Sequence, residues 1–182
     1  PPFAQVFARY VVAALIAVGF ALWNKETLKP KNIRDALILV VIAVFGYGLS
    51  NVMYTMAILN TTITNALFLF FTFSIMTPVL GVLVLKEKFT RHLGIALIIA
   101  SMGIYLMFRP QFGDEHLLGM GFALLAAFLT ALYYIGRRMV KSISASLVMV
   151  YSTVFGAFGV GFISFVMERG FWTARPAELL LP

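Results

Sequence analysis

The chain alternates between long apolar stretches and short polar connections. A membrane-spanning helix needs about 20 mostly apolar residues, and six stretches come close to this length or exceed it. They cover residues 3–23, 36–59, 62–85, 93–108, 118–135 and 145–167. Their length favours helices, because a barrel strand would be about ten alternating residues between turns. The pattern therefore predicts an all-α fold, a polytopic bundle of membrane helices.

Composition supports a lipid environment. The 182 residues are 62% hydrophobic and only 12% charged, and their mean hydropathy is +0.97. Soluble domains carry about 25% charged residues, so a soluble fold of this chain would have too little polar surface. The expected partner is the lipid bilayer. The chain has no cysteine, which excludes disulfides and thiolate metal sites.

The basic residues predict the orientation of the helices. Ten of the 14 Lys and Arg residues lie in the connections 24–35, 86–92 and 136–144, against three in 60–61, 109–117 and 168–176. Because cytoplasmic loops carry the excess of Lys and Arg, the first set is expected inside. The net charge of +7 thus reflects topology and predicts no binding to nucleic acid. Both termini would then lie outside, and we interpret the chain as a fragment that lacks a preceding helix.

Polar residues inside the spans are the candidate substrate-binding residues. Tyr47, Asn51 and Tyr54 share one helical face at i, i+4 and i+7. This face either lines a water-filled path or bonds a neighbouring helix. Arg9 lies about two turns into the first span, where it either reaches the outer interface through its long stem or faces a central cavity and attracts an anionic group.

The third and fifth spans add further candidates. Asn65 and Thr72 share a face of the third span, and Pro78 removes a backbone donor there, so a kink is expected. The kink is either a packing feature or a hinge for alternating access. Tyr134 either contacts substrate or belongs to the interfacial aromatic belt. Small residues predict close helix contacts at three pairs, which are Gly46 with Ser50, Ala96 with Ala100, and Ala157 with Gly161.

The positions of the acidic residues argue against catalysis. All seven Asp and Glu residues, and both histidines, lie in connections or at interfaces. A membrane protease or a metal-dependent lipid enzyme needs paired acids or metal ligands inside the bilayer. We therefore predict no enzyme activity, no catalytic residue, no metal and no cofactor. A proton relay is not evident in this part of the sequence either.

Several short motifs resemble one known transporter family. The stretch from 55 to 110 carries most of them, and Arg9 after Pro1-Pro2 resembles the pattern that opens the family's second helix. The other matching features are Ala57 with Thr62 to Ala66, Thr77-Pro78, Lys86-Glu87-Lys88, Gly94 and Gly103. Together they resemble the EamA-type module of the drug/metabolite transporter superfamily.

The resemblance implies a particular architecture. Family members have ten helices in two five-helix repeats of opposite orientation, and this chain would supply helices two to seven. Residues 1–110 would then be most of the first repeat, with four helices, and 111–182 the start of the second, with two. Overlaying the repeats places Thr153 opposite Arg9, so the second repeat lacks the arginine.

The resemblance also implies a function. We expect a carrier that exports small metabolites, such as amino acids or related amphipathic compounds, by alternating access across the plasma membrane, here a bacterial inner membrane. Homodimer formation stays open. Two other classes compete, a membrane enzyme that acts on lipid and a non-transporting assembly subunit. A dry core in which Tyr47, Asn51 and Asn65 each bond to neighbours would favour the subunit.

Overall fold

The computed structural model describes residues 1–25, 32–110, 117–140 and 143–168. Across these ranges it contains six helices long and apolar enough to cross a membrane, and no strand. They are α1 (Pro2–Trp23), α2 (Ile33–Asn60), α3 (Ile63–Leu85), α4 (Arg91–Phe108), α5 (Leu117–Met139) and α6 (Ala145–Met167). The predicted all-α fold and its spans are confirmed, with boundaries that differ by a few residues.

The helices pack around α2, α5 and α6. Helix α1 lies against α6, α2 lies between α5 and α6, α3 packs on α5, and α4 lies outside α3. One buried cluster joins α1, α2 and α6, and a second joins α2, α3 and α5. Large apolar side chains cover much of the exterior. This arrangement suits a bilayer, where van der Waals packing rather than water exclusion joins the helices.

Two of the three predicted small-residue pairs lie at close contacts. A Cβ on Gly46 of α2 would stand 2.8 Å from Tyr133 Cβ of α5, and one on Gly161 of α6 would stand 2.7 Å from Phe7 Cε2 of α1. The third pair is different, because Ala96 is exposed and α4 has no buried residue. Small residues alone therefore did not distinguish a packed face from an outer one.

Two helices contain irregular turns. The middle of α2, Ile42–Leu49, is π-helical over eight residues. Helix α3 is interrupted at Thr72, between Ile63–Phe71 and Phe73–Leu85. Pro78, where a kink was predicted, lies inside the second of these α-helices. In the same region the hydroxyls of Thr72, Ser74 and Thr77 donate to backbone carbonyls of the preceding turn, an arrangement that bends helices.

The outer ends of α1 and α6 are joined by a carboxylate. Helix α1 begins without a side-chain cap of its own. The Glu168 carboxylate instead accepts the backbone N–H groups of Phe3 at 3.0 Å and Ala4 at 2.7 Å, and the Ser164 hydroxyl donates to it at 3.1 Å. A negative group at a helix N-terminus satisfies donors that the helix cannot use and complements the helix dipole.

We therefore expect Glu168→Ala to lower the free energy of unfolding by about 1–2 kcal/mol, the usual value of a helix N-cap. Thermal unfolding of the detergent-solubilised protein measures this. The matched control is Glu87→Ala, since Glu87 forms an exposed ion pair with Arg138 at 3.1 Å, and such pairs contribute about 0–1 kcal/mol. Equal losses in the two variants would show that Glu168 is not a cap.

Candidate functional site

The predicted face of α2 is partly exposed and has unused hydrogen-bonding groups. Tyr47, Asn51 and Tyr54 are all of intermediate exposure. The Asn51 side-chain amide donates to the Tyr47 carbonyl of its own helix at 3.0 Å. Among the described residues, nothing bonds Asn51 Oδ1 or the hydroxyls of Tyr47 and Tyr54. The face therefore offers polar atoms that a solute could bind.

A row of aromatic rings starts and ends on this face. It crosses from α2 to α5, then to α3, and returns to α2. Successive ring centroids are 4.6–5.8 Å apart, within the range of favourable aromatic pairs. In order, the rings are Tyr47, Tyr133, Tyr134, Phe73, Phe70 and Tyr54. Tyr134 is thus linked to the α2 face through the ring of Tyr133.

Arg9 faces away from the packed side of α1. Its side chain is exposed and lines a shallow pocket with Ala8, Val12, Ala13 and Ile16. No carboxylate in the described ranges pairs with it. The structure therefore leaves the Arg9 charge exposed on α1, one residue before Tyr10.

Two other predicted site residues lie differently. Asn65 is fully buried near the start of α3, and with Thr62, Thr64, Phe108 and Arg109 it lines a separate cavity of about 300 Å³. Thr72 donates its hydroxyl to the carbonyl of Leu69 in the preceding turn. Asn65 thus lines a cavity away from the aromatic row, and the Thr72 hydroxyl bonds within α3. The sequence spacing could not show this, because it fixes neighbours only within one helix.

A second cavity lies elsewhere and is apolar. It measures about 710 Å³ and runs along α1 and α6, where Phe7, Leu15, Phe158 and Phe162 are among its lining residues. No charged or hydrogen-bonding side chain lines it. A solute site needs a few convergent polar groups to fix orientation. We therefore place the candidate site on the α2 face and not in this groove.

Three residues outside the predicted site set hold the site together. Tyr10 of α1 is 5% exposed, and its hydroxyl donates to the Tyr47 carbonyl at 3.1 Å. Tyr133 of α5 and Ser152 of α6 are both buried, and their hydroxyls are hydrogen-bonded at 2.9 Å. Tyr133, like Tyr134 beside it, is a tyrosine inside a span, and the sequence predicts for both either contact with substrate or a place in the aromatic belt. Ser152 gave no such signal.

The Tyr133–Ser152 bond makes a testable prediction. Removing one hydroxyl leaves the other buried without its partner, which costs about 1–3 kcal/mol. We expect Tyr133→Phe and Ser152→Ala each to lower thermal stability by such an amount. The double variant should lose clearly less than the sum of the two, because the second change removes an already unpaired group. Strictly additive losses in thermal unfolding would contradict the bond.

Two of the basic connections lie together in the structure. Arg137 and Arg138 lie in the last turn of α5, and Arg138 pairs with Glu87 in the connection between α3 and α4. Two of the three basic connections thus meet at one end of the bundle, as the predicted topology requires.

Within the described ranges, no group of three His, Asp or Glu side chains could hold a metal ion.

Comparison with known proteins gives two matches. Residues 1–109 match the EamA-like transporter family. A protein of Clostridium kluyveri described as an uncharacterized transporter is 26% identical over 139 residues, which cover 72% of this chain and 45% of that protein. The chain thus spans less than half the length of this relative. No solved structure matches it.

Proposed function

Because the chain belongs to the EamA-like transporter family and is a multi-pass membrane protein, we propose that it carries part of the path of an exporter for small amphipathic solutes. Amino acids and related compounds are the proposed substrate class. The proposed location is the bacterial inner membrane. The lipid bilayer surrounds the helices, and a homodimer is a further proposal.

The unbonded polar atoms of the α2 face are the observation that carries this proposal. A polar group inside a bilayer is expensive unless it has a partner. The hydroxyls of Tyr47 and Tyr54 and the amide oxygen of Asn51 have none among the described residues. Water or a solute in a path along this face would supply the missing partners.

The chemistry of the face suits an amphipathic solute. Tyr54, Phe70, Phe73 and Tyr134 form an aromatic wall that an apolar side chain can contact. Arg9, exposed on α1 one residue before the Tyr10 that donates to the Tyr47 carbonyl, would attract a carboxylate or another anionic group. Aromatic rings together with one cation thus fit a solute that has an apolar body and a charged head.

Alternating access is the proposed mechanism. By the family resemblance, residues 1–110 would belong to the first repeat and 111–182 to the second, and one repeat would rock against the other. The interruption of α3 at Thr72 and the missing backbone donor at Pro78 both lower the resistance of this helix to bending. Pro78 as a hinge remains a prediction, to which the structure adds Thr72 as a second flexible point.

Flux through proteoliposomes that contain the complete polypeptide tests the proposal. We expect efflux of labelled leucine or phenylalanine from vesicles of known sidedness, and a loss of at least about tenfold in Asn51→Ala, the equivalent of one charged hydrogen bond. Tyr105→Phe is the control, since Tyr105 is 58% exposed on α4. Undiminished flux in Asn51→Ala would remove the site assignment, and no flux of any amphipathic solute would favour the non-transporting subunit.

A further inference from the structure

One carbonyl at the end of the π-helical stretch of α2 accepts side-chain donors in addition to the backbone N–H of Ser50. In a π turn the backbone bonds run from residue i to i+5, so the turn is wider than in an α-helix, and such turns concentrate at functional sites. Tyr47 lies near the end of the stretch Ile42–Leu49. Its carbonyl accepts Ser50 Oγ at 3.0 Å, Asn51 Nδ2 at 3.0 Å and Tyr10 Oη at 3.1 Å.

Of these three side-chain donors, Tyr10 comes from another helix. Ser50 and Asn51 follow Tyr47 in α2 itself, whereas Tyr10 belongs to α1. Its ring centroid lies 5.3 Å from that of Tyr47. The Tyr10 hydroxyl therefore ties the π turn of α2 to α1, next to Arg9 in the sequence.

A glycine of α6 makes room for Tyr10. A Cβ on Gly156 would stand 2.6 Å from Tyr10 Cε1 and 3.4 Å from Tyr47 Cδ1. Gly48, inside the π turn, also meets Gly156, since a Cβ on Gly48 would stand 3.3 Å from Gly156 Cα. The Tyr10 ring is thus fitted into a narrow slot between α2 and α6, and its hydroxyl is directed onto one carbonyl.

We propose that Tyr10 is a positioning residue, whose hydroxyl fixes the π turn of α2 and thereby the direction of the Asn51 and Tyr54 side chains. The inference rests on the proposed function for its consequence in transport. Because Asn51 and Tyr54 follow the π turn directly, any change in the winding of that turn rotates them about the helix axis. Tyr10 acts through this geometry and need not touch the solute.

Tyr10→Phe tests the proposal in transport, because it keeps the ring in its slot and removes only the hydroxyl. We expect the half-saturation concentration to rise by about 2–10-fold, the equivalent of one neutral hydrogen bond, with little change in maximal rate. Gly156→Ala should give the same change, since its Cβ displaces the Tyr10 ring. Gly159→Ala is the matched control in α6, because its Cβ would make only an ordinary contact, 3.6 Å from Val44 Cγ1.

The absence of cysteine from the chain permits a test that does not depend on transport. Single variants Asn51→Cys and Tyr54→Cys are labelled with a water-soluble maleimide, with and without Tyr10→Phe. We expect Tyr10→Phe to change the labelling rate at both positions by more than about twofold. A twofold change corresponds to less free energy than one hydrogen bond contributes. The rate at Thr64→Cys, near the outer end of α3, should stay constant.

The outcomes separate the two proposals. Changed labelling without any solute flux would retain the positioning role of Tyr10 and reject the proposed function. Unchanged labelling at positions 51 and 54, or a wild-type half-saturation concentration in Tyr10→Phe, would overturn the positioning role. Additive effects of Tyr10→Phe and Gly156→Ala would also overturn it, because both changes act on the same hydroxyl. If Gly156→Ala does not fold, the labelling rates and the half-saturation concentration of Tyr10→Phe test the positioning role by themselves.

Discussion

Gly119→Ala is expected to reduce the amount of folded protein sharply, although alanine is a better helix former than glycine. Gly119 lies near the start of α5, where a Cβ would stand 2.5 Å from the carbonyl carbon of Asn60, 2.6 Å from its oxygen and 2.7 Å from Thr61 N. All three atoms belong to the backbone of the α2–α3 connection. A flexible side chain could move aside, but this backbone is held between two membrane helices.

The expected loss follows from a comparison of two terms. Replacing glycine by alanine inside a helix gains about 0.8–1 kcal/mol of helix propensity. Forcing an extra methyl group into a packed contact costs about 1–3 kcal/mol, and more where the neighbour cannot relax. The two terms together give a net loss of up to about 2 kcal/mol, and a larger loss here because the contacted atoms are backbone that cannot move aside, seen as a lower Tm in detergent and as poor membrane expression.

Gly121→Ala is the matched control for this prediction. It lies two residues later in α5, and a Cβ there would meet nothing within 4 Å. Only the propensity term then applies, so Gly121→Ala should be as stable as the parent protein or slightly more stable. Equal Tm values for the two variants would show that α5 does not approach the α2–α3 connection as described.

Helix positions followed from the sequence because the bilayer imposes one length and one secondary structure. The six predicted spans agree with the structure, and the motifs around Ala57, Thr77-Pro78 and Glu87 indicated the family that the match over residues 1–109 establishes. Both signals are local along the chain. Hydropathy is summed over about 20 neighbouring residues, and each motif lies within a few turns.

The relations between helices were not evident from the same signals. The π turn of α2 has a donor from α1, Tyr10, and space beside it at Gly156 of α6, and neither residue lies near the turn in the sequence. The sequence predicted flexibility at Pro78 from a missing N–H group, but it contains no comparable mark at Thr72. Asn65 and Asn51 were alike in the sequence, both amides in a span. Only packing placed Asn65 in a separate outer pocket.

Arg9→Gln should abolish most transport of solutes that carry a carboxylate. We expect a fall of about 10–100-fold in flux at low solute concentration, since a hydrogen bond between charged groups is worth about 1.5–3 kcal/mol and 1.4 kcal/mol is tenfold. Arg9→Lys should keep part of the flux, because it retains the charge but not the planar fork of donors. The measurement is the efflux of a labelled amino acid from proteoliposomes that contain the parent protein, Arg9→Gln or Arg9→Lys.

Membrane insertion separates this role from a structural one. An arginine at the centre of a span costs about 2.5–3.5 kcal/mol on insertion scales, so removing it should leave insertion and Tm unchanged or improved. A large loss of flux together with normal or better insertion therefore points to the solute. If Arg9 only extends to the outer interface, Arg9→Gln should transport at the parent rate. Arg9 would then no longer be assigned to the candidate site.

The flux of a solute without a carboxylate gives a second test of the role of Arg9. An amino acid amide has the apolar body of the parent amino acid but no carboxylate, so its flux should be nearly the same with and without the arginine. Arg109→Gln is the matched control, because Arg109 is another exposed arginine, at the end of α4. If Arg109→Gln reduced carboxylate flux as much as Arg9→Gln, the effect would come from surface charge in general, and the specific pairing of Arg9 with an anionic group would be rejected.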